Sequence, residues 1–207
     1  MITTLDELKE NITDLYPNTG GEDFVKFLNG NPDLCNYICS EEHDFFKAPA
    51  STKYHGSYQG GLVEHSYNVA KTLYELTRNN GLKWHRSISP FIVGMFHDIC
   101  KIDAYKPKKS NELINGEGEV YLTLYDGYEY NWDTLYKGHG EKSLMILSGL
   151  CRLTEEEAAC IRYHMGAFND KSYEWNDYTR AIHKYPNVLW THHADMIAAH
   201  IMEVEND

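Results

Sequence analysis

Apolar residues recur every three or four positions along much of the chain, which is the spacing of amphipathic helices. This spacing predicts a first helix over 5–15, ended by the turn-forming stretch 17–21, and a second helix over 22–28. A loop rich in glycine, serine and proline occupies 48–61. It precedes another apolar-periodic stretch over 62–76, where a longer helix is expected.

Helix-start signals mark further helices in the second half of the chain. The stretch 87–90 supplies serines and a first-turn proline for a helix that reaches the pair His97-Asp98. A capping-box pattern at 154–157 precedes another apolar-periodic stretch. Asn187 is expected to cap the last helix.

One segment departs from the helical spacing. The stretches 121–125 and 128–132, rich in aromatic residues, flank Asp126-Gly127, which predicts a small β-hairpin with its turn at that dipeptide. The hairpin's tyrosines and Trp132 have rings that can stack on a nucleobase. Aromatic residues in hairpins usually serve packing, however, and packing is the prediction here.

These elements predict a mainly α fold, a single-domain helical bundle with a small β-hairpin insertion. The 207 residues can bury one sizeable core, and no linker or internal repeat divides them. Within this fold, residues 1–48 are expected to form a helical extension packed on a core domain over 49–207.

Charge and composition narrow the classes of function. The chain has 31 acidic and 19 basic residues, and its formal charge of −12 repels phosphate backbones, so duplex nucleic acid is not an expected partner. No apolar run approaches the roughly 20 residues that span a bilayer, so no membrane partner is expected. The N-terminus lacks a signal-peptide pattern, and the five cysteines, without a Cys-x-x-Cys pair, are expected to stay reduced. We therefore expect a cytoplasmic location.

Candidate chemistry lies where titratable residues interrupt apolar stretches. His97-Asp98 directly follows an apolar run, while His65 and Asp195 stand within apolar-periodic stretches of their own. Buried imidazoles and carboxylates need partners, and a divalent cation satisfies both kinds of ligand. The alternative at each position is a hydrogen-bonded core histidine or a buried ion pair.

The order of these four residues resembles the H…HD…D signature of the HD superfamily of metal-dependent phosphohydrolases. The stretch 54–66 (YHGSYQGGLVEHS) is similar to the leader around the first metal histidine of many members, and 96–101 (FHDICK) is similar to the family's HD-x-x-K turn. The resemblance runs from Pro49 to Ala199, and the residues before Ala48 show none of it. It implies an HD-type helical bundle.

Two further histidines, His139 and His164, fall between the HD pair and the distal aspartate, in the order of the two-metal HD branch. The resemblance implies one metal held by His65, His97, Asp98 and Asp195 and a second held by His139 and His164, with Asp98 bridging. It also implies one or two divalent transition-metal ions (Fe, Mn, Zn or Ni, with Mg as a further option) and a hydroxide nucleophile between them. The alternative is that His139 and His164 contact phosphate around a single metal.

Residues beside this ligand set are expected to bind substrate. Lys101 stands four positions after His97, so on a continuing helix it would face the same cavity and neutralise a phosphoryl oxygen. A solvated lysine is the alternative. Asp98 and Lys101 are the expected catalytic residues, and Lys53 and His55 are expected to line the entrance as substrate-binding residues.

The expected function is metal-dependent hydrolysis of a small phosphomonoester or phosphodiester, with a nucleotide as the expected substrate. Two other hydrolases stay open: a 3′-5′ exonuclease-like phosphodiesterase, although those relatives add a nucleic-acid-binding barrel, and a cyclic-dinucleotide phosphodiesterase, although its Gly-Tyr-Pro sequence is missing. Outside hydrolysis, a non-catalytic metal-containing nucleotide sensor and a di-iron oxygenase also stay open. The pattern determines neither the exact substrate nor the oligomeric state.

Overall fold

The structure is a computed structural model that describes residues 1–17, 20–116, 119–134, 138–167 and 172–204. The predicted helix stop at Asn18-Thr19 and the side chain of Tyr121 lie outside the described part. The described residues form a mainly α fold with one small antiparallel hairpin, which confirms the predicted fold class. The elements are α1 Leu5–Leu15, α2 Gly20–Asn29, α3 Pro32–Ile38, α4 Gly61–Asn80, α5 Ser89–Phe96, β1 Tyr105–Ile114, β2 Val120–Tyr130, α6 His139–Leu150, α7 Glu155–Arg162, α8 Ser172–Lys184 and α9 Asn187–Ile197.

Helices α4 and α5 pack against each other very closely in the core. A Cβ atom placed on Gly94 of α5 would lie 2.3 Å from the Cα of Ala70 in α4, so only glycine allows the two backbones to approach this closely. Every residue of α5 is buried, because α4, α2, α7 and α9 all pack around it. The crossing places His65 of α4 and His97, the residue after α5, with ring centroids 5.3 Å apart.

Helix α9 brings an acidic side chain into the same core. Its buried residues Val188, Thr191, Ala194 and Asp195 recur at helical spacing, so they share the face that packs on α4 and α7. Asp195 is therefore carried inward by the apolar face on which it stands.

The N-terminal helices complete the core. The ring of Tyr16 contacts those of Tyr74 and Phe91, and the rings of Phe24 and Phe45 both contact Phe96. The described part of residues 1–48 thus packs on the elements that follow it. The division of the chain into an N-terminal extension and a core domain stays a prediction.

The hairpin is present, but its predicted turn was wrong. Strand β1 precedes the segment where both strands were expected, and the connection between the strands lies between Ile114 and Val120. Asp126-Gly127 lies inside β2, where the register shifts by one residue and Gly127 has a φ of 68°. Asp-Gly here forms a β-bulge, which requires the same left-handed glycine as a tight turn.

Three aromatic residues of the hairpin region are largely exposed and do not pack on the core. The rings of Tyr125, Tyr130 and Trp132 remain 62%, 53% and 71% exposed. Tyr130 contacts Tyr105 across the strands and Trp132 along the chain. Packing within the hairpin is therefore local.

Two predicted helix caps serve a different purpose. The hydroxyl of Ser89 donates to Glu157 over 2.7 Å, and the Asn187 amide donates to Glu156 over 2.8 Å. Both residues lie inside their helices. Their side chains therefore connect α5 and α9 to α7 and do not cap the ends of these helices. The capping box of Thr154 at the start of α7 is confirmed. Helices α3 and α8 were not predicted.

Among the described helices, none is both long and apolar enough to cross a membrane.

The Gly94 contact predicts a large effect of one methyl group on stability. Gly94→Ala should lower the free energy of unfolding by at least about 2 kcal/mol, because the added Cβ meets backbone that cannot move aside. The matched control is Gly149→Ala in α6, where the Cβ would meet nothing within 4 Å. It should be neutral or stabilise by up to about 1 kcal/mol. Chemical denaturation measures both, and equal stability of the two variants would contradict the packing argument.

Candidate metal centre

Three buried histidines from different parts of the fold meet in the core. His65 comes from the second turn of α4, His97 from the end of α5 and His164 from just beyond α7. The exposed fraction of each residue is 1% or less. The ring centroids of His97 and His164 are 4.8 Å apart, so the three imidazoles form one cluster.

Asp98 lies at the centre of this cluster. Its Oδ2 is 3.5 Å from Nε2 of His97 and 3.9 Å from Nε2 of His65. Its Oδ1 is 3.3 Å from Nε2 of His164 and 3.3 Å from Nδ1 of His139. The two oxygens thus face two different groups of imidazoles, which is the arrangement expected of a carboxylate shared between two sites.

Asp195 closes the first of these groups. Its Oδ1 is 3.2 Å from Nε2 of His65 and 3.8 Å from Nε2 of His97. The structure therefore brings together all six residues that the sequence pattern predicted as metal ligands, and the count of one metal or two stays open.

Hydrogen bonds on the far side of two rings determine which nitrogen faces the centre. Nδ1 of His97 lies 2.8 Å from the Gly94 carbonyl, and Nδ1 of His164 lies 2.8 Å from the Ile161 carbonyl. A nitrogen beside a carbonyl must carry the hydrogen, so in the neutral ring Nε2 keeps its lone pair. Metal-binding histidines are oriented in this way.

The Nε2 atoms of His65, His97 and His164 are buried, and none makes a hydrogen bond within the described structure. His65 approaches Asp195, but without hydrogen-bond geometry. An unsatisfied buried polar atom costs about 1–3 kcal/mol, so three in one place need a common partner. A divalent cation among these nitrogens and carboxylates supplies it, and the residues fit the metal that the sequence pattern predicts.

The charges of the cluster suit a ligand set. Burial would raise the pKa of Asp98, but Lys101 and His97 hold it well below its usual value. Burial lowers the pKa of His97 to about 4, which leaves the ring neutral. Burial acts in the same direction on His65, but the carboxylates of Asp195 and Glu203 outweigh it and raise the pKa to about 9. A cation would have to displace that proton.

Lys101 borders the centre and is not a solvated lysine. Its exposed fraction is 5%, and Nζ lies 2.7 Å from Oδ2 of Asp98. The α-helix ends at Phe96, and Lys101 stands in the 3₁₀ helix Ile99–Ile102, three residues after Asp98. It reaches Asp98 through this tighter turn, and not through the predicted four-residue helical spacing.

Helices α6 and α7 place the second group of histidines. A Cβ on Gly140 would lie 2.0 Å from the carbonyl oxygen of Arg162, so the start of α6 abuts the end of α7. His139 precedes this glycine, and His164 follows Arg162 by two residues. The side chain of His139 is 36% exposed, which opens the cluster to solvent on that side.

The predicted entrance residues lie beside His65. The rings of His55 and His65 have centroids 4.9 Å apart, and burial lowers the pKa of His55 to about 4. A cavity of about 770 Å³ opens next to them, lined in part by Lys53, His55, Tyr54 and Glu203. Lys53 and His55 thus line one cavity, and their role as substrate-binding residues at the entrance stays a prediction.

Two residues that touch the centre were not predicted. Glu203 contacts Nδ1 of His65, and Asn68 donates to Glu203 over 3.0 Å. Asn68 stands three positions after His65 on the same helix, which is a usable signal. Glu203 follows α9 in a stretch without a motif, so nothing in the sequence pattern marks it.

No family model, curated protein or solved structure matches this chain. Membership of the HD superfamily therefore stays a prediction, supported by the motif residues and by their arrangement.

Proposed function

We propose that this chain is a metal-dependent phosphohydrolase of the HD type, which hydrolyses a small phosphomonoester or phosphodiester, with a nucleotide as the substrate class. One observation carries the proposal. Three buried Nε2 atoms that lack hydrogen-bond partners in the described structure converge on the carboxylates of Asp98 and Asp195. We place the activity in the cytoplasm, which the five free cysteines support.

The ligand atoms divide into two sets around Asp98. His65, His97, Asp98 and Asp195 would hold one cation, and Asp98, His139 and His164 would hold a second. Mixed imidazole and carboxylate donors favour a borderline divalent ion such as Fe, Mn, Zn or Ni over a purely oxygen-bound one, with Mg as a further option. When bound, such a cation polarises a phosphoryl oxygen and lowers the pKa of a coordinated water from 15.7 to about 7.

The protein's own residues position the substrate and balance its charge. The ammonium group of Lys101 has three donors, so it can contact a phosphoryl oxygen while it still bonds Asp98. A buried cation beside the transferred phosphoryl group acts in a water-poor environment, where the attraction is stronger than in solution. The side chain of His139 is 36% exposed, so we place the entry of the phosphate group on that side.

We place the distal part of the substrate in the cavity beside His55 and Glu203, which has the size of a small-molecule site. Its volume of about 770 Å³ falls within the range of roughly 300–1,000 Å³ that small-molecule sites occupy. Lys53 and His55 would bind the part of the substrate distal to the reacting phosphate. The ring of Tyr54, on the same loop, is 80% exposed and open to stacking.

The proposal predicts phosphoester hydrolysis that depends on metal. Nucleoside phosphates, cyclic nucleotides and aryl phosphomonoesters and diesters should be tested with Mn²⁺, Fe²⁺, Zn²⁺, Ni²⁺ and Mg²⁺. At least one combination of substrate and metal should show turnover, and a chelator should abolish it. Asp98→Asn should be inactive, because both ligand sets lose a negative charge. His43→Ala, whose ring stacks on Tyr37 at 4.4 Å, should retain activity. Turnover that persists after verified metal removal would contradict the mechanism, and nucleotide binding without turnover would favour a sensor.

Lys101 should contribute to rate without holding metal. Lys101→Met removes the charge, keeps the length, and should lower kcat/KM by about 10²–10³ while metal content is unchanged. Lys142→Met is the matched control, because Lys142 is also buried and paired with an aspartate, Asp103, outside the ligand set. Its kcat/KM should stay near that of the parent protein. Parent-like rates in Lys101→Met would remove Lys101 from the mechanism, and loss of metal would make its role the support of Asp98.

A further inference from the structure

His65 differs from the other two buried histidines in the partner of its outer nitrogen. Nδ1 of His97 and of His164 each contact a backbone carbonyl three residues earlier. Nδ1 of His65 instead contacts a carboxylate, with Oε1 and Oε2 of Glu203 at 3.2 Å and 3.1 Å. The two rings with carbonyl partners are oriented by their own local backbone, whereas His65 depends on a residue 138 positions away.

Glu203 is itself held in place. The Asn68 amide donates to its Oε1 over 3.0 Å, and the side chain of Glu203 is only 6% exposed. The preceding residue is also anchored, because the hydroxyl of Thr72 donates to the Met202 sulfur over 3.3 Å. Asn68 and Thr72 both stand on α4 beyond His65, so this helix supplies the histidine and the contacts that fix its partner.

The backbone between Asp195 and Glu203 explains why both carboxylates reach one imidazole. In a regular α-helix, each residue turns about 100°, so a residue eight positions on would lie about 80° around the axis from Asp195. The chain instead forms a π-helix over Ala198–Met202, whose wider turn rotates each residue by less. The π-helix thereby returns Glu203 towards the face that carries Asp195, and π-turns of this kind are frequent at functional sites.

We infer that Glu203 is a positioning residue of the metal centre: it accepts the Nδ1 hydrogen of His65 and thereby presents the lone pair of Nε2 to the cation. The inference rests on the metal centre of the proposed function, although it holds for a catalytic centre and for a sensor alike. A carboxylate behind a metal-binding histidine fixes the ring and increases its strength as a ligand more than a carbonyl does.

A purely structural role for Glu203 would have a different signature. If the residue only joined the C-terminal turn to α4, its removal would lower stability and leave the affinity of the folded protein for metal unchanged. A positioning role requires weaker metal binding in protein that is still folded. Metal affinity, measured beside thermal unfolding, separates the two.

The test measures the dissociation constants of Zn²⁺ and Mn²⁺, each added alone to metal-free full-length protein, by competition with a chromogenic chelator. Glu203→Ala should weaken binding by about 10–100-fold, the range seen when such partners are removed. Glu203→Gln keeps an acceptor oxygen but loses the charge, so it should fall between Ala and the parent. Glu64→Gln is the control, because Glu64 adjoins His65 on α4 and its side chain makes no hydrogen bond or ion pair with the described residues. Its affinity should equal that of the parent.

A spectroscopic measurement reports the hydrogen itself. In the Zn²⁺-loaded protein, the Nδ1–H proton of His65 should give a downfield resonance that is lost in Glu203→Ala. Parent affinity in folded Glu203→Ala would overturn the inference, and if that variant does not fold, parent affinity in Glu203→Gln would do so. Absence of metal binding by the parent protein would instead overturn the proposed centre.

Discussion

The negative charge of Asp98 in the helical core is the feature on which the other parts of the centre depend. This residue is 1% exposed, and its oxygens face His97, His164, His139 and Lys101. A buried carboxylate is tolerated only where opposite charges and donors surround it, so the fold must deliver those groups to one point. The close crossing at Gly94, the face of α9 and the junction of α6 with α7 each deliver one part.

The same arrangement leaves buried nitrogen atoms without hydrogen-bond partners in the described structure, and this points to function. Lys101 is paired with Asp98, but Asp98 and Asp195 both lie against imidazoles whose Nε2 atoms lack hydrogen-bond partners in the described structure. A stable fold would normally satisfy such atoms internally. A cluster held together by helix packing, but incomplete in hydrogen bonds, is typical of a site that is completed by a ligand. Its imidazole and carboxylate composition favours a divalent cation.

Much of the centre could be predicted from the sequence, because polar residues within apolar stretches are costly and therefore conspicuous. His97-Asp98 after an apolar run and Asp195 on an apolar face carry this signal on their own. His139 and His164 do not, and their prediction depended on motif order. Glu203 could not be predicted, because its position depends on the π-helix Ala198–Met202. This π-helix changes which later residues lie on the same face as Asp195. The hairpin turn was misplaced because Asp-Gly suits both a tight turn and a β-bulge, and only the strand pairing decides which of the two it forms.

The central claim is that a divalent cation binds among these histidines and carboxylates. Anomalous diffraction from crystals grown with Mn²⁺ and measured at two wavelengths tests it most directly, because the signal locates the ion without reference to activity. The account predicts an anomalous peak bounded by Nε2 of His65 and His97 and the carboxylates of Asp98 and Asp195, with any second peak between Asp98, His139 and His164. A well-ordered core with no peak, in which Nε2 of His65 is hydrogen-bonded directly to Asp195, would contradict it.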